Sequence, residues 1–148
     1  MTSLAGYGIV VEPPTGWEAR IFRLAGGEPT VHAATFPLPL HDGEFGVNAT
    51  RSMSADAVFV ALTEYRADNR LTPGKGLFAP ARPRTLDAAQ FSRNALLLNL
   101  PAQLGTQSFF SASGRAFSLY VVVGSSSAIG RRIAEVNGLL QGVRIAAQ

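Results

Sequence analysis

Two arms rich in β-branched and aromatic residues flank a short turn. The first arm is Thr106-Gln-Ser-Phe-Phe-Ser-Ala112, the turn is Ser113-Gly-Arg115, and the second arm is Ala116-Phe-Ser-Leu-Tyr-Val-Val-Val123. Glycine in a short turn between such arms is typical of a β-hairpin. The second arm is apolar on both faces, with Phe117, Leu119, Val121 and Val123 on one face and Tyr120 and Val122 on the other. The pattern therefore predicts a central strand that is covered on both sides.

The first third of the chain also predicts strands. Residues 7–23 predict a hairpin, because the turn-forming Glu12-Pro-Pro-Thr-Gly16 lies between two segments with β-branched and aromatic residues. Gly26-Gly27 predicts the next turn, and residues 30–36 alternate as a third strand.

The middle of the chain is less regular. Residues 57–65 predict a strand from their β-branched and aromatic content, while Ser54 and Asp56 leave a short capped helix open as an alternative. Residues 85–91 predict a helical turn, and residues 95–98 predict a short strand.

Apolar residues recur at helical spacing after the hairpin. They are Ile129, Ile133, Val136, Leu140 and Val143. One of the serines at 125–127 is expected to cap the helix, and residues 143–145 predict a short edge strand. The sequence thus predicts a single α+β domain over residues 1–148. Its main feature is an antiparallel sheet with a C-terminal amphipathic helix packed on it.

Composition excludes several classes of protein. The 148 residues contain no cysteine, which excludes disulfide scaffolds, thiolate nucleophiles and cysteine-ligated zinc. We expect neither a membrane span nor a signal peptide, and we expect a soluble cytoplasmic protein. A net charge of +3 is too weak to favour nucleic acid as a partner.

The order of elements resembles the PsbP-like group, named for an extrinsic photosystem II protein, in which helices cover an antiparallel sheet. The shared features are the Pro14-Thr-Gly-Trp17 turn between early strands, the late hairpin and the closing stretch from Ile133 to Ile145. The middle of the chain departs from the pattern, because no long helix follows the third strand. The chain is also similar to small proteins of GC-rich bacteria. PsbP-like proteins are mostly assembly factors and adaptors, so the resemblance implies binding, and it carries over no functional residue.

Residues 66–84 form a long loop rich in proline and glycine. Such connections are uncommon inside a compact domain and are usually functional or mobile. The loop holds the cations Arg66, Arg70, Lys75, Arg82 and Arg84, with Asp68 as its only acid and Leu77-Phe78 at its centre. A basic loop with an aromatic tip suits an acidic protein surface or a nucleic-acid backbone. The alternative is a solvated loop whose Leu77 and Phe78 fold back on the core.

A second candidate site lies at the start of the C-terminal helix. A helix N-terminus favours negative charge, whereas cations are unfavourable there. The sequence nevertheless places two cations within about the first turn. The candidate anion-binding residues are Ser125, Ser126, Ser127, Arg131 and Arg132. Solvation of both arginines, or an acidic side chain of a partner, would serve equally well.

No residue is assigned a catalytic or metal-binding role. Ser126 lies where a nucleophile elbow would be, but no histidine follows it in the chain, as that arrangement requires. His32 and His41 are the only histidines, and His32 is expected to be a hydrogen-bonded sheet residue rather than a ligand.

The sequence therefore favours a non-enzymatic protein-interaction domain, an adaptor or assembly component, over an enzyme. Its partner is expected to be another protein, with self-association left open, and no cofactor is implied. The alternative is a small-ligand-binding protein, weakly enzymatic at most, with a pocket between sheet and helix. An adaptor predicts an exposed apolar and basic surface, whereas the alternative predicts a closed cavity with converging polar groups.

Overall fold

The computed structural model describes residues 2–68 and 72–148, so that Arg70 lies outside the described residues. The strands and helices, in chain order, are β1 (Leu4–Gly6), β2 (Ile9–Val11), β3 (Glu18–Phe22), β4 (Thr30–Ala34), α1 (Val47–Arg51), β5 (Val58–Tyr65), β6 (Leu104–Ala112), β7 (Arg115–Val123), α2 (Ser126–Gly142) and β8 (Arg144–Ile145). Short 3-10 helices lie between β5 and β6, at Gly76–Phe78, Ala88–Gln90 and Arg93–Ala95. None of the helices in the described ranges is long and apolar enough to cross a membrane.

The strands form two antiparallel sheets, a large one in the order β3-β4-β5-β7-β6 and a small one in the order β1-β2-β8. The predicted late hairpin is confirmed as β6 and β7, and all nine residues of β7 are buried. Residues 57–65 are a strand, as predicted, because β5 pairs with both β4 and β7. The α+β class is likewise confirmed.

The large sheet is covered on both faces. Its first face packs against α2 and the small sheet, and its second face packs against residues 36–53, which include α1. The predicted apolar stripe of α2 contributes to the first core, where Val136 and Leu140 are buried and Ile133 is half-buried. Because apolar residues cover both faces of the large sheet, its central strands need apolar side chains on both faces.

The predicted hairpin over residues 7–23 is wrong. The turn lies instead at Tyr7-Gly8, where φ angles of 54° and 77° close a two-residue connection between β1 and β2. Because β2 then pairs with β1 and β8, β3 is left to pair with β4. The Pro13-Pro14 segment connects the two sheets rather than two strands of one sheet.

The strand predicted at 95–98 is also wrong, whereas the helical turn predicted within 85–91 is confirmed as the 3-10 helix Ala88–Gln90. Leu96 leaves the edge of the sheet and packs over Gly105, where a Cβ would lie 2.9 Å from Leu96 Cδ2. The following Leu97 N–H donates to Tyr120 Oη at 2.8 Å. Contact with the sheet face, and not strand pairing, therefore fixes these residues.

Residues 72–96, which we call the strap, wrap around the outer edge of β6. Phe78 lies on the second face of the sheet, whereas Leu86 and Phe91 lie in the core beneath α2. Leu96 returns to the second face. The strap therefore crosses the edge of β6 twice, and its crossings position the candidate site.

Candidate functional site

The predicted aromatic tip of the 66–84 loop is wrong for Phe78. This side chain is 1% exposed, and its ring centroid lies 5.4 Å from that of Tyr65 and 5.8 Å from that of Phe109. Leu77 is 56% exposed, so one residue of the pair folds onto the core and the other faces solvent. Only Leu77 is available to a partner.

Two of the loop cations are bound within the protein. Arg82 Nη1 donates to the carbonyl oxygens of Leu140 and Val143 at 2.8 Å and 2.6 Å, so it caps the C-terminal end of α2. Cations at a helix C-terminus are stabilising. Arg66 Nε donates to Glu28 Oε1 at 2.9 Å. These two arginines have structural partners and are not free to attract another molecule.

Lys75 and Arg84 are different. Both are exposed, and neither side chain forms an ion pair or hydrogen bond with any residue in the described part of the chain. Burial lowers the pKa of Arg82, and the positive charge of Arg84 lowers it further. Within the described ranges, the positive charges of Lys75 and Arg84 therefore have no acidic partner.

An open groove lies between these two cations along the chain. Its volume is about 400 Å³, and it lies where the strap meets the outer edge of β6. Its lining residues are Leu77, Pro80, Ala81, Pro83, Ser108 and Phe109. We call the groove together with Lys75 and Arg84 the apolar-basic groove. The sequence indicated the cations and Leu77, but it did not indicate that Ser108 and Phe109 of the hairpin form the opposite wall.

The candidate anion site at the start of α2 is occupied by a side chain of the protein itself. Arg131 Nη2 lies 2.9 Å from Asp56 Oδ1, and Arg132 Nη2 lies 2.8 Å from Asp56 Oδ2. Arg132 also binds Glu135, and hydrogen bonds with Glu135 and then Asp56 raise the pKa of Arg132. The charge of both arginines is therefore met from within the chain.

The serines of this site have local partners as well. Ser125 occupies the N-cap position, yet its hydroxyl donates to the Ala55 carbonyl at 2.7 Å instead of capping the helix. Ser127 Oγ lies 2.9 Å from Ser125 Oγ, and Ser126 is exposed. The five predicted residues are brought together, but the arrangement does not need an external anion.

The pocket predicted between sheet and helix has a volume of only about 20 Å³, with an almost entirely apolar lining of core side chains such as Leu119 and Leu139. This volume is close to that of a single water molecule. A larger open cleft of about 520 Å³ lies at the ends of β5 and β7, but its charged groups are paired as Glu64 with Arg115 and Glu28 with Arg66. Neither space offers the closed set of converging free polar groups that the ligand-binding alternative predicts.

His32 is the hydrogen-bonded sheet residue that the sequence predicts. It is 2% exposed, its Nε2 lies 2.8 Å from the Glu44 carbonyl oxygen, and its ring packs between Phe22 and Phe59. Burial lowers the pKa of His32, although the hydrogen bond with Glu44 acts in the opposite direction. Among residues 2–68 and 72–148, no group of three or more acidic or histidine side chains is arranged to hold a metal ion.

Comparison of the chain with known protein families, curated proteins and solved structures finds no match. The resemblance to the PsbP-like group therefore stays a prediction.

Proposed function

We propose that the protein is a non-catalytic protein-interaction domain, an adaptor or assembly component, which binds its partner in the apolar-basic groove. The observation that carries the proposal is the combination of an open groove of about 400 Å³ with two exposed cations that have no partner in the described ranges. Apolar surface with a charged rim is typical of protein contact sites.

Charge determines the kind of partner. Lys75 and Arg84 would attract and orient an acidic segment, and Leu77 would bury apolar area against it. Arg66 and Arg82 contribute little to this attraction, because Glu28 and the end of α2 already bind them. We therefore propose an acidic, partly apolar segment of another protein as the partner.

The ligand-binding alternative has less support. A pocket that binds a drug-sized molecule usually measures about 300–1,000 Å³ and encloses most of the ligand. The cavity between sheet and helix is about 20 Å³, which is smaller by more than a factor of ten.

Lys75 is the only lysine in the sequence, which allows a direct test. A photo-crosslinker attached by reductive alkylation, which keeps the amine positively charged, labels this side chain next to the groove, with the α-amino group as the one other reactive amine. We expect the labelled protein to crosslink to a defined partner in an extract of the organism that encodes it. The crosslink should disappear in Leu77→Asp and Arg84→Ser.

The matched controls are Leu40→Asp and Arg51→Ser, which change an exposed leucine and an exposed arginine in the segment 36–53. These variants should crosslink as the wild-type protein does. A partner captured equally by all four variants would contradict the groove as the contact surface, and so would capture that is insensitive to salt.

A further inference from the structure

Within residues 2–68 and 72–148, the outer edge of β6 is closed at two points. Ser111 N–H donates to the Pro80 carbonyl at 3.0 Å, where Ala81 pairs with Ser111 in parallel. Ser92 and Gly105 exchange both backbone hydrogen bonds, at 2.8 Å and 2.9 Å, as an antiparallel bridge. Between these bridges the strap leaves the edge and runs beneath α2, since Leu86 lies in that core.

The direction of the backbone groups between the bridges follows from the alternation of a β-strand. Gly105 and Ser111 direct their bonding groups outward, to the strap. Gln107 and Phe109 have the same parity, so their N–H and C=O groups also point outward. The register agrees, because Ala112 pairs with Arg115 across a two-residue turn, and such a turn closes on a hydrogen-bonded pair.

The backbone groups of Gln107 and Phe109 that point outward have no hydrogen-bond partner within the described part of the chain. An edge strand with free groups is a template for another strand. This open edge spans about 17 Å, at roughly 3.4 Å for each of the residues 106–110. Its length fits about four or five residues of an extended chain.

The open edge and the apolar-basic groove overlap at Ser108 and Phe109. Ser108 and Phe109 line the groove from β6, and Leu77, Pro80 and Pro83 line it from the strap. A strand that is paired with Gln107 and Phe109 would place alternate side chains against these apolar residues. Lys75 and Arg84 lie next to the groove residues along the strap, within reach of acidic residues on the incoming segment.

We propose that the partner binds by β-addition, with an extended, acidic segment of another protein pairing as a short strand with Gln107 and Phe109 of β6. This inference rests on the proposed function and specifies its binding mode. Backbone hydrogen bonds would give affinity, the groove would select apolar side chains at alternate positions, and the cations would select acidic neighbours.

The test begins with peptides of about twelve residues, selected from a random displayed library on the purified full chain. For one selected peptide, amide hydrogen exchange is measured by NMR in the free and bound protein. We expect the Gln107 and Phe109 amides to exchange rapidly in the free protein and to be protected in the complex. The amides of Thr106 and Ser108, which face β7, should be protected in both.

A pair of variants isolates the backbone. Gln107→Pro removes an N–H that points outward and leaves the ladder with β7 intact, which edge strands tolerate. Gln107→Ala removes the side chain and keeps the N–H. We expect Gln107→Pro to weaken peptide binding by about tenfold or more, because an incoming carbonyl loses its donor, whereas Gln107→Ala binds as the wild type does. If Gln107→Pro does not fold, methylation of single backbone nitrogens in the peptide removes hydrogen-bond donors of the peptide instead, and it tests the same backbone pairing.

The outcomes separate the two proposals. Peptides that depend on Leu77 and Arg84 but tolerate both Gln107→Pro and backbone methylation would overturn β-addition and leave the groove as a contact site. Selected peptides that bind independently of Leu77 and Arg84, for example at β3, would overturn both proposals. Protection of Gln107 and Phe109 in a dimer of the free protein, measured by analytical ultracentrifugation, would show that a second copy occupies the edge and would overturn the assignment to another protein.

Discussion

Glu64 and Arg115 form a buried, bidentate ion pair between β5 and β7. Arg115 Nη2 lies 2.6 Å from Oε1 of Glu64 and Arg115 Nε lies 3.0 Å from Oε2, with side-chain exposures of 3% and 8% for the arginine and the glutamate. The remaining Nη1 donates to the Ala146 carbonyl at 3.0 Å. The pair therefore joins the ends of the two central strands of the large sheet to the chain that follows β8.

Removal of one partner of this pair leaves a buried charge. We expect Glu64→Gln and Arg115→Met each to lower the free energy of unfolding by about 3–5 kcal/mol. The double variant Glu64→Leu with Arg115→Met should recover much of this loss, because two apolar side chains leave no unpaired charge. Urea denaturation measures all three variants, and a double variant less stable than both single variants would contradict the explanation.

Phe78 holds the strap against the second face of the sheet. We expect Phe78→Ala to lower the free energy of unfolding by roughly 3–5 kcal/mol, the usual range for truncation of a buried aromatic residue. Leu77→Ala is the matched control and should change stability by less than about 0.5 kcal/mol, because Leu77 is exposed. Equal losses of stability in Phe78→Ala and Leu77→Ala, measured by thermal melts, would contradict the difference in burial between these two residues.

Burial of His32 makes stability depend on pH. Since its pKa is lowered from 6.5, the unfolded chain binds a proton at a higher pH than the folded protein does. This contribution to stability is complete above about pH 6.5 and declines below it, by up to about 1.4 kcal/mol for each pH unit. His32→Gln should remove this part of the pH dependence, whereas the exposed His41→Gln should retain it. Chemical denaturation between pH 5 and 8 gives the comparison.

Asp56 forms ion pairs with both Arg131 and Arg132 at the start of α2. All three side chains are partly exposed, so we expect Asp56→Ala to lower stability by only about 0.5–1 kcal/mol. The variant should regain part of this stability in phosphate buffer, because the two arginines are then open to an external anion. Glu135→Gln leaves Asp56 in place and should show no such gain. The melting temperatures of both variants, with and without phosphate, test the assignment.

The sequence predicted the parts of the fold that depend on local pattern. The apolar residues on both faces of β7 identified a central strand, and the helical stripe of α2 identified the face that packs on the sheet. The turn at Tyr7-Gly8 was missed, because tyrosine rarely adopts a positive φ and the prolines at 13 and 14 gave a stronger turn signal.

The candidate site was only partly predictable, because it depends on contacts between distant parts of the chain. Composition identified Lys75 and Arg84 but could not show that Arg82 caps α2. The role of Asp56 was likewise not predictable, because it depends on the pairing of two distant strands. The pairing of Val58 with Val123 brings the residues before β5 beside those after β7, and this register places Asp56 near the start of α2.

The two bridges that bound the open edge of β6 also limit stoichiometry. A strand that is added between Ala81 and Ser92 cannot extend past either bridge, so its own outer edge stays only a few residues long. An edge that short offers too few hydrogen bonds to hold a third strand, and fibril growth requires the same addition to repeat without end. The strap thus limits strand addition to a single segment, and this edge should bind one partner for each protein.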